Sequence, residues 1–190
     1  MKKLLLLLGT FMFVGCSNSL PMRANLNPVV DDQPAGIYQG GESISVSGQD
    51  HRLEPQVIKI SLPNQQVQKI TNQISPDVML SERLQNGFQQ QGLTTGSMAN
   101  ATIGVNVEEL QNTLTKPGIT YHATASSRIK ITVTNNGNTL TKEYNRSATQ
   151  ESVLRPDLHD LEIQTSEQLS DIMEQILTDT QIRGAIKGQY

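Results

Sequence analysis

YHATASSRIKITVTNNGNTLTKEY, residues 121–144, decides the fold class. Tyr121 to Thr134 alternate strictly, with Tyr121, Ala123, Ala125, Ile129, Ile131 and Val133 on one face, the period of a half-buried strand. Asn136-Gly137 follows. This dipeptide favours the two-residue hairpin turn, whose central positions need positive φ. The turn then sets the register. Val133 faces Leu140 and Ile129 faces Tyr144 on the core side, while Thr132 meets Thr141, Thr134 meets Thr139 and Lys130 meets Glu143 on the other. Each such pair contributes only about 0.2–1 kcal/mol, but apolar pattern and turn chemistry together specify one register. Lys142, opposite Ile131 on the core face, is the one blemish, to be absorbed by an edge position or a snorkelling side chain.

Upstream, Ser43–Ser47, Gln56–Ser61 and Gln66–Thr71 read as short strands, the last two joined by a turn at Leu62-Pro63-Asn64. Ala101–Val107 alternates well, and Leu110 falls out of phase, which predicts a bulge near Glu108-Glu109. Ser75-Pro76-Asp77 starts a helix with a capping hydroxyl, a proline in the first turn and an acid near the positive end. Leu80, Leu84 and Phe88 carry its apolar face, Gly92 stops it with Leu93 beyond, and Gly87 lets that face lie close to the sheet. A last helix is expected from Thr165, with Gln168 completing a capping box. Leu169, Ile172, Met173 and Ile176 line it, and Ile182 and Ile186 mark a short terminal helix. The pattern predicts an α+β class: one small domain over residues 42–190, with a mainly antiparallel sheet of about four to six strands packed with two main helices.

Residues 17–41, SNSLPMRANLNPVVDDQPAGIYQGG, show no periodicity and are rich in Asn, Pro, Gly and Asp. Residues 16–41 are therefore expected to form a flexible tether, spanning about 25–30 Å r.m.s. as a coil. Alternatively Val29, Val30 and Ile37 lay part of it on the domain as an added strand.

The first residues are an address. Lys2 and Lys3 precede an apolar run from Leu4 to Val14, and Gly15 stands before Cys16, the sole cysteine. That is the layout of a secretory signal, too short for a membrane span. Its end, Phe13-Val14-Gly15-Cys16, resembles a bacterial lipobox, with Phe13 where Leu, Val or Ile is usual. The resemblance implies removal of residues 1–15 and acylation of Cys16, whose chains make the membrane contact; two or three chains hold stably where one does not. Ser17, rather than an aspartate, implies transfer to the outer membrane, facing the periplasm. Loss of Lys2 and Lys3 leaves 13 basic against 18 acidic residues, a charge of −5. A mildly acidic chain without a basic cluster is a poor partner for nucleic acid.

Motifs for chemistry are scarce. His51, His122 and His159 lack metal-ligand spacing, and no second thiol exists, so neither a metal nor another cofactor is expected. Asp31-Asp32 lie in the tether. Glu108-Glu109 are adjacent on a strand and so are expected on opposite faces, unlike an acid/base pair. No catalytic residues are assigned and no enzyme is expected. Two sites remain. Lys130, Glu143, Thr132 and Thr141 form a candidate interaction face, against the plainer reading of a solvated strand surface. Gln49, Asp50, His51 and Arg52 form a candidate ligand loop, with Tyr121 as a further wall, against the plainer reading of a hydrogen-bonded turn. His159 falls in a polar linker, Arg155–Asp160.

The lipobox at Cys16, SISVSGQDHR (43–52), NNGNTLTKEYNRSA (135–148) and QLSDIMEQILTD (168–179), in that order, resemble the YajG-like family of bacterial lipoproteins. The likeness runs over most of residues 42–190 and is weakest through 93–118. These motifs are structural, and the resemblance brings no catalytic residues. It implies a fold like the small α+β domains of TolB's amino-terminal part and of penicillin-binding-protein activator lipoproteins. The function expected is an anchored interaction module or adaptor with an envelope protein as partner; the alternative is a binder of small ligands or glycans.

Overall fold

The computed structural model describes residues 22–96 and 98–189. The elements are β1 (Arg23–Ala24), β2 (Ser43–Asp50), β3 (Gln56–Ser61), β4 (Gln68–Asn72), α1 (Pro76–Gln90), β5 (Thr94–Thr95), β6 (Ala101–Thr115), β7 (Tyr121–Asn135), β8 (Asn138–Ser152), α2 (Leu158–Thr178) and α3 (Thr180–Ile186).

The hairpin forms in the expected register, with Val133 opposite Leu140 and Lys130 opposite Glu143. Asn136 and Gly137 both take positive φ, 51° and 82°. The pairing extends to Tyr121 opposite Ser152, so β8 is a full-length outer strand. β7 pairs on its other side with β6, and the bulge falls between Val107 and Glu109. Before it Ile103, Val105 and Val107 are buried; after it Leu110, Asn112 and Leu114 are. The extra residue resets the phase of the strand.

The sheet is mixed, not mainly antiparallel, and eight-stranded. β6 takes two parallel neighbours along one edge: β2 beside residues 101–107 and β3 beside 112–115. β1 and β5 add two further parallel ladders at the margins. Among the described residues α1 and α2 are the two main helices, and α3 stands where a short terminal helix was expected.

α2 begins at Leu158, not Thr165. Asp157 is its cap: its side chain accepts from Asp160 N and the Asp160 carboxylate accepts from Asp157 N, a reciprocal capping box. Arg155–Asp160 is thus partly the helix start rather than a linker. Thr165 and Gln168 lie buried in mid-helix, beside Leu161 and Gln164. That polar face is matched to the sheet: Gln164 Nε2 donates to Ala123 O (3.2 Å), Gln168 Nε2 to Ala125 O (3.0 Å), and Asn112 Nδ2 to Gln164 Oε1 (2.9 Å). Gly87 gives room to α2 rather than to the sheet, since a Cβ there would lie 2.6 Å from Leu177 Cδ1.

The flexible-tether expectation fails for residues 22–41, which lie on the domain; residues 16–21 fall outside the described residues. Ala24, Leu26 and Pro28 are buried at period two. The alternate amides are caught by α2: Asn25 N donates to Glu162 Oε1 (2.8 Å), Asn27 N to Ser166 Oγ (3.0 Å), Val29 N to Ser170 Oγ (2.8 Å) and Asp31 N to Glu174 Oε1 (2.8 Å). The match is metrical. Two extended residues advance about 6.6 Å and four helical residues about 6 Å, so a chain laid along the helix meets a partner at every fourth residue. The added-strand alternative holds as a strand only for β1; of its residues Val30 and Ile37 are half-buried against the core, while Val29 points outward.

Replacing Leu26 by Ala is expected to cost about 2–4 kcal/mol, because a buried leucine side chain is lost from a packed site. Val29→Ala, at a side chain 60% exposed, is expected to change stability by less than about 0.5 kcal/mol. Urea denaturation midpoints of the two variants check this; equal, small effects would mean that this strap, residues 22–41, is not packed.

Candidate functional site

The Gln49–Arg52 stretch sits where the parallel ladder along β6 is interrupted. β2 ends opposite Val107, and β3 resumes opposite Asn112. Arg52 fills the gap. One guanidinium nitrogen, Nη1, donates to Leu110 O (3.0 Å) and Gln56 O (3.1 Å), while Nε and Nη2 engage the two Asp50 oxygens at 2.8 and 2.7 Å. Its side chain is only 5% exposed. Burial opposes ionisation of Asp50, but the Arg52 hydrogen bonds outweigh it and hold the carboxyl below its usual range. Asp50 and Arg52 therefore repair a break in the sheet, as the plainer reading of the loop has it.

Gln49 and His51 belong to an outer polar row. His51 Nε2 meets Gln49 Oε1 at 3.1 Å, and its Nδ1 meets Glu108 Oε1 at 3.2 Å. Glu108 also pairs with Lys130 at 2.5 Å. Chiefly because of that Lys130 contact, Glu108 is held below the usual carboxylate range. Lys130 is opposite Glu143 in the register, yet its ammonium reaches across to β6 for its ion pair. Glu109 pairs with Arg128 at 2.7 Å. Glu108 and Glu109 were expected on opposite faces; the bulge turns both toward outward-facing bases of β7.

The structure does not bring Tyr121 to this loop. His51 N donates to Val107 O, and Val107 is opposite Ile129. Tyr121 lies eight residues further along β7, about 26 Å away. Thr132 and Thr141 do meet, Oγ1 to Oγ1 at 3.4 Å, and Thr141 and Glu143 are exposed. His122 and His159 take surface positions, His122 beside Thr120 (3.1 Å) and His159 3.6 Å from Glu162. Among the described residues no three His, Cys, Asp or Glu are placed to hold a metal ion.

Two features escaped the sequence reading. The first is Asp179, which joins β8 to both C-terminal helices. Its Oδ1 accepts from Gln181 N (2.8 Å) and Ile182 N (3.2 Å), capping α3, while Oδ2 accepts from Tyr144 Oη (2.8 Å) and pairs with Lys142. The Lys142 blemish is thus a buried-side partner for a helix cap. Burial, followed by the Asp179 contact, pushes the Tyr144 hydroxyl far up, so it stays a donor. The second is an open groove of about 600 Å³ between the end of β8 and the start of α2, lined in part by Gln150, Glu151, Arg155, Asp160 and Glu167. The signal for Asp179 was Lys142 itself, a base on an apolar face.

Among the described residues no helix is long and apolar enough to cross a membrane. No curated protein matches the sequence. Among solved structures, a protein of the DUF330 family from Xanthomonas campestris aligns at 11% identity with a TM-score of 0.56, covering 89% of this chain and 96% of its own. That likeness shows the fold alone. A Chlamydia trachomatis protein aligns at 9% identity and TM-score 0.37, covering 77% of this chain and 99% of its own. A Caulobacter crescentus protein, described as a candidate lipoprotein, aligns at 13% identity and TM-score 0.37, covering 70% of this chain and 93% of its own. Neither of these two alignments carries an argument. A family model described as uncharacterised lipoprotein matches residues 28–187, and the chain belongs to that family of lipoproteins.

Proposed function

We propose that this lipoprotein is of the YajG-like kind, anchored by acyl chains on Cys16 to the periplasmic side of the outer membrane, and that it acts by binding an envelope protein rather than by catalysis. The observation that carries the binding role is β8. It is 15 residues long and pairs only with β7 among the described strands, so its outer side is a sheet terminus. Such an edge accepts an added strand through main-chain hydrogen bonds. Lys142 and Glu143 on β8, with Arg146 beyond, guard it against indiscriminate pairing. Lys130, Thr132, Thr141 and Glu143 then supply the side-chain surface next to that edge.

A photo-crosslinker placed at Thr141 or Glu143 of the full-length protein in cells is expected to capture one dominant envelope protein. Lys130→Ala combined with Glu143→Ala is expected to reduce the adduct about tenfold, the equivalent of about 1.4 kcal/mol of binding. Capture of only abundant neighbours, unchanged by the substitutions, would refute the adaptor role. The second reading, a ligand or glycan binder, rests on the groove beside Arg155. Cell-wall saccharide fragments that raise the melting temperature of the wild type but not of Arg155→Ala would favour it.

A further inference from the structure

One end of the domain gathers large apolar side chains that the fold leaves in solvent. Strand register places the ends together. Ser61 of β3 is opposite Thr115 of β6, and Tyr121 of β7 is opposite Ser152 of β8. The β3–β4 turn, the β6–β7 loop and the β8–α2 connection therefore emerge side by side. They carry Val67, Ile119, Val153 and Leu154, of which the last three are 77–88% exposed. Met98, 97% exposed, lies at the opposite end, just before Ala101, which is opposite Asn135 at the hairpin turn.

The first described residues point back to the same end. Arg23 is opposite Thr71 and Thr71 opposite Gln56, which puts Arg23 level with Leu110 of β6 and Ser127 of β7. Tyr121 is six residues from Ser127, roughly 20 Å toward that end. β1 runs parallel to β4 and so away from the end, and the backbone at Met22 points back toward it. Six residue steps separate Met22 from Cys16, a reach of at most about 20 Å. That reach is about the distance from Met22 to the loop tips, so an anchor at Cys16 would allow no long stand-off.

We infer that this end is a bilayer-contacting surface: with Cys16 anchored, the loops carrying Val67, Ile119 and Val153–Leu154 rest in the phospholipid headgroup layer. The inference rests on the proposed acylation of Cys16. Lys116 and Arg155 in the same loops suit a surface of lipid phosphates, and apolar tips of this kind enter the interface without crossing it. The domain then stands with its hairpin turn and Met98 directed away from the membrane.

The test uses the full-length, acylated protein in vesicles of phosphatidylethanolamine and phosphatidylglycerol. With Cys16 acylated, single thiols introduced as Ile119→Cys, Leu154→Cys, Val29→Cys or Met98→Cys are labelled with an environment-sensitive fluorophore. Because interfacial groups sink about 5–10 Å into the headgroup region, spin-labelled lipids are expected to quench labels at 119 and 154 about threefold more than those at 29 and 98. Equal, weak quenching at all four positions on vesicles that carry the protein would overturn the orientation and leave the anchor intact. Strongest quenching at 29 would overturn it in favour of a domain lying on its strap. Labels at 119 and 154 shielded from aqueous iodide yet untouched by lipid quencher would mean that a second copy covers the end, which also overturns it. Protein that fails to float with the vesicles would refute the acylation reading itself, and this inference with it.

Discussion

Asp179→Ala is expected to lower stability by about 3–4 kcal/mol, more than any other single surface carboxylate in the domain. Three losses combine. The α3 cap goes, worth about 0.5–2 kcal/mol. Tyr144 Oη loses its acceptor in a buried setting, at about 1–3 kcal/mol, and Lys142 keeps a half-buried charge without its partner. Losses in one network do not simply add. Lys142→Met in the Asp179→Ala background is therefore expected to recover about 1 kcal/mol, because an apolar residue is tolerated where an unpaired charge is not. Denaturant titrations of the two single variants and the double variant measure the coupling; strict additivity would mean that the contacts are independent. The pH dependence has a definite sign. Burial works to raise the Asp179 carboxyl, and the Lys142 and Tyr144 hydrogen bonds outweigh it, leaving it below its usual value. The stabilisation is thus complete above the unfolded value of about 3.9, and is lost as pH falls through the lower folded value. The stability gap between wild type and Asp179→Asn is expected to be full near neutrality and to close in that acid range.

Gly48→Ala is the second large effect, at about 3 kcal/mol. A Cβ on Gly48 would fall well inside contact distance of the Asp77 carbonyl oxygen, with the carbonyl carbon at 2.6 Å. Both sides of that contact are backbone, one in β2 and one in the first turn of α1, so relief requires the helix to shift on the sheet. Overpacking of this kind costs about 1–3 kcal/mol, sometimes more. Two glycines serve as controls. At Gly87 the obstruction is the end of the Leu177 side chain, which can rotate, and the gain in helix propensity of about 1 kcal/mol offsets part of the cost. At Gly104 the nearest atom is 3.8 Å away, an ordinary contact, and alanine is expected to be nearly neutral. A thermal-melting series that ranks Gly48 with Gly104 would show that β2 and α1 are not closely apposed.

The hairpin was legible because its information is local: alternation, an Asn-Gly turn and complementary pairs lie within a few dozen residues. So was the bulge, from the phase slip at Leu110. The parallel ladders of β2 and β3 on β6 were not, because short strands do not carry the identity of a neighbour more than forty residues away. The start of α2 was misplaced for a chemical reason. Gln164, Thr165 and Gln168 form a buried polar face, the two glutamines donating to sheet carbonyls and Thr165 accepting from the Asn112 side chain. Counting apolar residues therefore finds only the second half of the helix, and Thr165 with Gln168 imitates a capping box. Composition likewise hid the strap. Asn and Pro suggested coil, whereas its true signals were burial at period two in Ala24, Leu26 and Pro28 and the series Glu162, Ser166, Ser170, Glu174 on α2. At the candidate site, Lys130, Glu143, Thr132 and Thr141 were placed correctly by register alone. The role of Arg52 required knowing that two strands share one edge of β6.

The strap also imposes an order of events on the making of the molecule. Its alternate amides, from Asn25 to Asp31, are held by residues 137 to 143 positions later in the chain, so part of the first stretch of the domain to be synthesised is among the last to be secured. Contacts of such long separation close late in folding, since the intervening chain must be ordered first. Until α2 exists, β1 can pair with β4, but the amides of Asn25, Asn27, Val29 and Asp31 lack the acceptors that hold them in the finished fold. Formation of α2 then supplies those acceptors, which makes the docking of the strap and the completion of the helix one and the same event.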